Sequence, residues 1–381
     1  MRTLIFGGTL LLPDGPLPDG WLLVEDRIVD LGEGAPPDIQ ATRIDLEGQT
    51  LAPGFIDLHA HGAVGYDTMD ATPEALREIA RCYARHGVTG FLATTMAAPA
   101  TDMMAALENI ARVMAAPGSD GAALLGAHVE GPYLDVARRG AQNASHVRHA
   151  HPAEYEAFFR TGVVRLISLA PEFPSHRELV RYATAHGAVV AAAHTSATYE
   201  QMVQAVHDGV TQVTHLFNGM EPLHHREPGV VGAALSLDEL RCQLIADNVH
   251  VHPAVLRLAV RAKTPNGILL ITDAMAGTGM PDGEYRLGDE LVIVRGGVAR
   301  NADGALAGST LTMDRAVANI MAATGLSLHQ AVRMAGEIPA RSLGMNDRGR
   351  LAIGAAADLV SLDDECRVTL TMVGGRIVFR G

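Results

Sequence analysis

Cysteine is scarce: Cys82, Cys242 and Cys366 are the only three, far apart and without a CxxC spacing. Neither a disulfide framework nor a thiolate metal site is therefore suggested, and a reducing cytoplasm is the expected compartment. Long apolar runs are missing too, since none approaches the roughly 18 residues that a membrane-crossing helix needs. The N-terminal MRTLIFGGTLLLPDG is interrupted by Gly7 and Gly8, stops at Pro13-Asp14-Gly15 and has no small-residue cleavage site. It reads as a strand rather than a signal peptide. Positive charge is in deficit. With 30 basic against 43 acidic residues the net charge is −13, a field that repels nucleic acid and anionic membranes. Neither is an expected partner, and an anionic small substrate would need a local basic pocket.

What is present suits a globular chain. A 48% hydrophobic fraction allows a sizeable core, and 40 glycines point to many tight connections. The 381 residues exceed one ordinary domain, yet barrels of alternating strands and helices take about 250 residues as one unit. Residues 1–50 read as a β meander, WLLVEDRIVDLG included, with turns at Pro-Asp-Gly and Asp-Gly and no helical period. From Leu51 the pattern changes to short apolar runs followed by helix-period segments. Eight runs follow one another: GFIDLHAH, GVTGFLATT, ALLGAHVEG, VVRLISLAPE, AVVAAAHTS, QVTHLFN, CQLIADNVHV and GILLITDAM. TPEALREIARCYARHG is one intervening helix, with Thr72 and Pro73 as start and Gly87 as stop. The reading is an α/β chain with a closed (β/α)8 barrel of the TIM type over 51–344, although an open doubly wound sheet shares much of this pattern. After a helical stretch near Ser327 to Ala335, GRLAIGAAADLVSLDD and RVTLTMVGGRIVF return to strands. Residues 345–381 are expected to complete the sheet of residues 1–50, so that the barrel is one insertion in a discontinuous second domain.

Polar residues fall at the ends of the runs. His59 and His61 end the first, Glu130 the third, His194 the fifth, His215 the sixth and Asp273 the eighth. In a barrel these C-terminal strand ends converge on the face where active sites are built. Imidazole and carboxylate suit Zn2+ or a similar divalent ion, and a catalytic site uses three protein ligands plus water. Glu130, His194 and His215 make one such set. His59 and His61 are two apart, face the same side of a strand and could hold a second ion. Among 17 histidines some fall near strand ends by chance, and a lone one is more often a hydrogen-bonded structural group. It is the combination of four histidines and two acids that carries the reading. Asp273 could serve merely as an N-cap after a strand; its chemical role would be to take a proton from water and return it to a departing amine. Arg226 and His250 are the anion-binding candidates, although each alone fits an ion-paired surface residue, and His224 and His225 add charge nearby. GAVGYD and DAMAGTG lack phosphate-loop spacing and read as turns.

PGFIDLHAHG at 53–62, HVEGPYL at 128–134, AAHTSA, THLFNGM, REPG, DNVHVHP, ITDAM and LAGSTLTM run in order and spacing along essentially the whole chain. This series resembles the N-acetylglucosamine-6-phosphate deacetylase family of the amidohydrolase superfamily. The resemblance implies a barrel with a small β-sandwich domain from both termini. It implies removal of the N-acetyl group of N-acetyl-D-glucosamine 6-phosphate, with Glu130, His194 and His215 as ligands of the principal metal and Asp273 as catalytic acid/base. Some members have lost the first-strand histidine pair; His59 and His61 are intact here, so one or two ions, Zn2+ foremost, are implied. It also places Asn218 and Gly219 near the phosphate, Ala141 as a backbone contact, His250 on the ligand and Leu306, Ala307 and Gly308 along the sugar pocket. Arg226 is implied to reach the neighbouring subunit of a homodimer. Two positions depart from the family. Gln142 stands where a sugar-contacting His is usual and Asn248 where Gly is usual, so preference for a galactosamine epimer or another N-acyl sugar is a competing expectation. A non-catalytic scaffold and a sugar-phosphate sensor are the expectations of other classes.

Overall fold

The computed structural model of the protein describes residues 2–116 and 120–381. Eight parallel strands follow one another in chain order: Phe55–Ala60, Val88–Thr94, Ala123–Glu130, Val164–Leu169, Val189–Ala192, Val210–Val213, Arg241–Ile245 and Ile268–Ile271. They are apolar almost throughout because barrel interior and helices cover both faces; every residue of Phe55–Ala60 and of Val88–Thr94 is buried. The ring closes between the first and eighth strands only at their C-terminal ends. Asp273 N–H donates to His59 O at 2.9 Å and His61 N–H to Ala274 O at 2.8 Å. That closure fixes two residues of the functional face side by side through the backbone.

The helix after the first strand shows how sequence sets an element. Pro73–Arg85 starts where the Thr72 hydroxyl accepts from Ala75 N–H, with Pro73 in the first turn. Leu76, Ile79, Ala80 and Tyr83, at helical spacing, are buried against the barrel. Gly87 then turns the chain at φ +78°, where an added Cβ would lie 2.8 Å from the Phe55 ring. Gly87 is therefore required twice, by its φ and by its closeness to Phe55.

Both chain ends build one hydrogen-bonded sheet of eight strands. Leu359–Leu362 pairs antiparallel with Thr50–Pro53, which itself runs parallel to Thr3–Leu12. The sheet has its own core of Ile5, Leu10, Leu22, Val24, Ile28, Leu51, Leu359 and Met372. Strand Thr50–Pro53 belongs to this sheet and leads directly into the first barrel strand, so the terminal sheet runs slightly past residue 50.

One element has no counterpart in the sequence reading. Gly283–Leu287, Glu290–Arg295 and Val298–Asn301 form a three-stranded antiparallel sheet after the eighth barrel strand. Its Leu287, Val292, Val294 and Ala299 pack with Met96, Met275 and Ala307. Among the described residues no helix is long and apolar enough to cross a membrane. Cys82, Cys242 and Cys366 are free, and burial pushes the thiols of Cys82 and Cys242 up to about 11 and about 12.

Candidate active site

The residues that end the barrel strands converge. Glu130 Oε1 lies 3.1 Å from His215 Nε2 and 3.4 Å from His194 Nε2; its Oε2 lies 3.4 Å from His61 Nε2. Asp273 Oδ1 stands 3.2 Å from His59 Nε2 and 3.3 Å from His61 Nε2. All six residues are buried. Three of them leave the strand in left-handed backbone: His194 at φ +44°, His215 at φ +30° and Asp273 at φ +51°. Non-glycine residues adopt that region at a cost and persist there when the surroundings impose it, as at functional sites. At these positions the strain redirects the three side chains from the strand path into a common centre. Asp273 is thus no helix N-cap.

Hydrogen bonding sets the tautomers. His194 Nδ1 meets Arg138 O at 2.8 Å and His215 Nδ1 meets Asn218 O at 3.1 Å, so both Nδ1 atoms carry the proton. Their Nε2 lone pairs then face one another at 3.1 Å with Glu130 Oε1 beside them. His59 repeats the pattern, its Nδ1 at 3.4 Å from Gln243 Oε1 and its Nε2 at 3.2 Å from His61 Nε2. Converging lone pairs repel unless a proton or a cation lies between them. The donor set therefore fits divalent ions in two groups that share Glu130: Glu130 with His194 and His215, and Glu130 with His59 and His61.

The electrostatics agree. Burial opposes charge on Glu130 and Asp273, but the surrounding imidazoles outweigh it, holding Glu130 well below the carboxylate range and Asp273 at about 2. Burial would lower His61, but the Asp273 and Glu130 carboxylates win and push it up to about 10.

Below the centre lies a buried polar layer that was not singled out from the sequence. His128 bridges Thr94 Oγ1 at 3.2 Å and Ser168 Oγ at 2.7 Å, and burial holds it neutral. Gln243, which fixes His59, donates to Gln212 Oε1 at 2.9 Å. The available signal was polar residues inside apolar strand runs, such as Gln212 in QVTHLFN and Gln243 in CQLIADN.

Above the centre opens a cavity of about 320 Å³, at the small end of small-molecule sites, which run from about 300 to 1,000 Å³. Ala141, Gln142, Asn218, Gly219, His250, Leu306 and Gly308 line it, together with Met96, Phe217, Leu287 and Ala305, which the sequence did not single out. Ala307 is a correction. Its neighbours Leu306 and Gly308 face the cavity, and strand-like alternation turns Ala307 into the apolar cluster of Met275 and Val292. Gly219, at φ +64°, lets the chain pass His194, because a Cβ there would lie 2.7 Å from Nδ1. His250 is held by Asp247 Oδ2 at 2.7 Å on Nδ1, which leaves Nε2 for the cavity. Asn248 adopts φ +65°. That conformation explains why glycine is usual there, and asparagine is among the side chains that tolerate it. Arg226 is exposed, within 2.7 Å of His225 Nε2, and does not line the cavity.

The small sheet is tied to the site by Asp67, whose carboxylate accepts from Met69 N–H at 2.8 Å and from Gly288 N–H at 3.1 Å. Burial pushes this carboxyl from 3.8 up to about 6. A folded pKa above the unfolded one gives stability that is full below about pH 4 and is lost as pH rises through about 6, up to ~3 kcal/mol for one fully buried group. Asp67→Asn should remove this slope, read as the difference in melting midpoint between the two proteins from pH 4 to 7. A constant difference across that range contradicts the assignment.

Residues 50–378 match the amidohydrolase family, and the chain belongs to it. Within that family it is similar to deacetylases of phosphorylated amino sugars. It is 42% identical over 342 residues to N-acetylglucosamine-6-phosphate deacetylase of Vibrio furnissii, covering 89% of this chain and 85% of the relative. It is 38% identical over 371 residues to N-acetylgalactosamine-6-phosphate deacetylase of Escherichia coli, with 97% of each covered. A solved structure of a mutant N-acetyl-D-glucosamine-6-phosphate deacetylase from Mycobacterium smegmatis, in complex with N-acetyl-D-glucosamine-6-phosphate, superposes with a TM-score of 0.93 at 38% identity over 99% of both chains.

Proposed function

We propose that the protein is a cytoplasmic, metal-dependent deacetylase that converts N-acetyl-D-glucosamine 6-phosphate and water to D-glucosamine 6-phosphate and acetate in amino-sugar catabolism. The observation that carries this reading is the meeting of Glu130, His194 and His215 beside Asp273 at the floor of a sugar-sized cavity. The Mycobacterium smegmatis relative with the sugar phosphate bound supports the substrate.

Glu130, His194 and His215 would hold the principal ion, and His59 and His61 a second one sharing Glu130. A divalent ion, Zn2+ foremost, supplies Lewis acidity that polarises the amide carbonyl and makes water acidic enough to ionise near about pH 7. Asp273, ionised at neutral pH, accepts the proton of the attacking water. It returns that proton to the amide nitrogen as the C–N bond breaks, so that the nitrogen leaves as an amine rather than an amide anion. Acetate and the amino sugar separate. Gly219 keeps the chain close to His194, and His250, fixed by Asp247, presents Nε2 to the substrate.

The phosphate is assigned to Asn218, Gly219 and Arg226, with Arg226 acting across a homodimer. Arg226→Ala should raise KM for the phosphorylated sugar about 10- to 100-fold, the worth of a charge-assisted contact. It should leave the unphosphorylated sugar unaffected. Equal effects on both substrates would remove Arg226 from phosphate binding.

A galactosamine epimer is the second reading, favoured by the 38% identity over 97% of the chain to the Escherichia coli enzyme. Specificity resides in the ratio of kcat/KM values, so acetate release is compared for the two phosphorylated epimers. A higher value for the glucosamine epimer is expected. A higher value for the galactosamine epimer would reassign the substrate, and ligand binding without acetate release from either would mark a sensor or scaffold.

A further inference from the structure

Gln142 lines the cavity, yet both ends of its amide are engaged by the protein. Its Oε1 accepts from Ala97 N–H at 2.8 Å, and its Nε2 donates to Glu130 Oε2 at 2.8 Å. The residue is 4% exposed. The two contacts fix the amide orientation, because a flipped amide would set N–H against N–H at Ala97 and oxygen against oxygen at Glu130. Ala97 thus dictates that Gln142 offers a donor to the carboxylate.

That donor meets a particular oxygen. Glu130 Oε1 is the atom beside His194 and His215, at 3.4 and 3.1 Å, with His59 Nε2 at 3.5 Å; Oε2 is the atom beside His61, at 3.4 Å. A bond from Gln142 to Oε2 locks the carboxylate plane so that Oε1 stays aimed at the His194 and His215 pair. It also draws charge from the carboxylate oxygen nearest His61, which would weaken that oxygen as a donor to an ion held by His59 and His61. Groups that orient a ligand in this way commonly govern about 10- to 100-fold in metal affinity.

We infer that Gln142 is a positioning residue for Glu130, strengthening the ion at His194 and His215 and weakening a second ion at His59 and His61, rather than a sugar contact. The inference rests on the metal reading above. It accounts for a glutamine at this position: the amide supplies, in one rigid unit, an acceptor for Ala97 and a donor for Glu130.

The test is a zinc titration of metal-stripped protein against a competing chelator, for wild type, Gln142→Met and Gln142→Asn. The first variant fills the space without polar atoms, and the second keeps the amide but is too short to span both partners. Far-ultraviolet circular dichroism and the melting midpoint of the stripped proteins separate misfolding from a metal effect. Expected for both variants is a 10- to 100-fold weaker first ion, a smaller gap between first and second ions, and a KM for the sugar at saturating zinc within about threefold of wild type. If one variant does not fold, the other decides. A first ion bound as tightly as in wild type overturns the inference. So does a raised KM with zinc affinity intact, which would make Gln142 a sugar contact after all. A wild-type protein that binds no zinc overturns the metal reading itself and this inference with it.

Discussion

Asp273→Asn should lower kcat by about 100- to 10,000-fold, the usual worth of a positioned acid/base, with zinc content unchanged. The substitution is nearly isosteric, and asparagine tolerates the φ of +51° that residue 273 adopts. Asp273 is not one of the three ligand residues in either candidate ion group. What the variant loses is the carboxylate that takes the water proton and hands it to nitrogen. KM should move little, because the interaction matters in the transition state rather than on binding. Zinc content by elemental analysis beside steady-state kinetics checks this. Loss of zinc in proportion to rate would make Asp273 a ligand, and a wild-type rate would remove it from the chemistry.

His194→Ala should abolish tight binding of the principal ion and lower activity more than about 1,000-fold, since two ligands fall short of the three protein ligands that a catalytic zinc site uses. The stripped variant should fold, because the substitution also removes one of two lone pairs facing each other at 3.1 Å. In the wild type, zinc at about 100 times its Kd should stabilise the fold by about 2.7 kcal/mol. The variant should show no such rise in melting midpoint. A zinc-induced rise equal to that of the wild type would show that the ion lies elsewhere.

The barrel and its chemistry were legible for one reason. Strands covered on both faces read as unbroken apolar runs, so Glu130, His194, His215 and Asp273 stood out as the polar residues where each run stops. The terminal sheet was legible from alternation and turns at both ends of the chain. The sheet at Gly283–Asn301 was passed over because its strands are short and expose many residues, leaving only a weak period behind turns at Gly288 and Gly296. Its contribution to the cavity, Leu287, was lost with it. The role of Gln142 was out of reach for a different reason: it depends on Ala97 and Glu130, partners 45 and 12 residues away. Residue type pointed to a hydroxyl contact, and only the folded arrangement reveals a carboxylate partner. The same holds for Ala307, whose facing depends on the register of a segment with no sequence signal.

The central claim is that Glu130, His194 and His215 grip one ion that makes this cavity hydrolytic. It is tested by following acetate release from N-acetyl-D-glucosamine 6-phosphate while metal-stripped protein is refilled stepwise with zinc. The account predicts negligible release before refilling and a rise that follows occupancy of the first, tighter ion. Full activity in stripped protein, or none at any occupancy by zinc or another divalent ion, would contradict it.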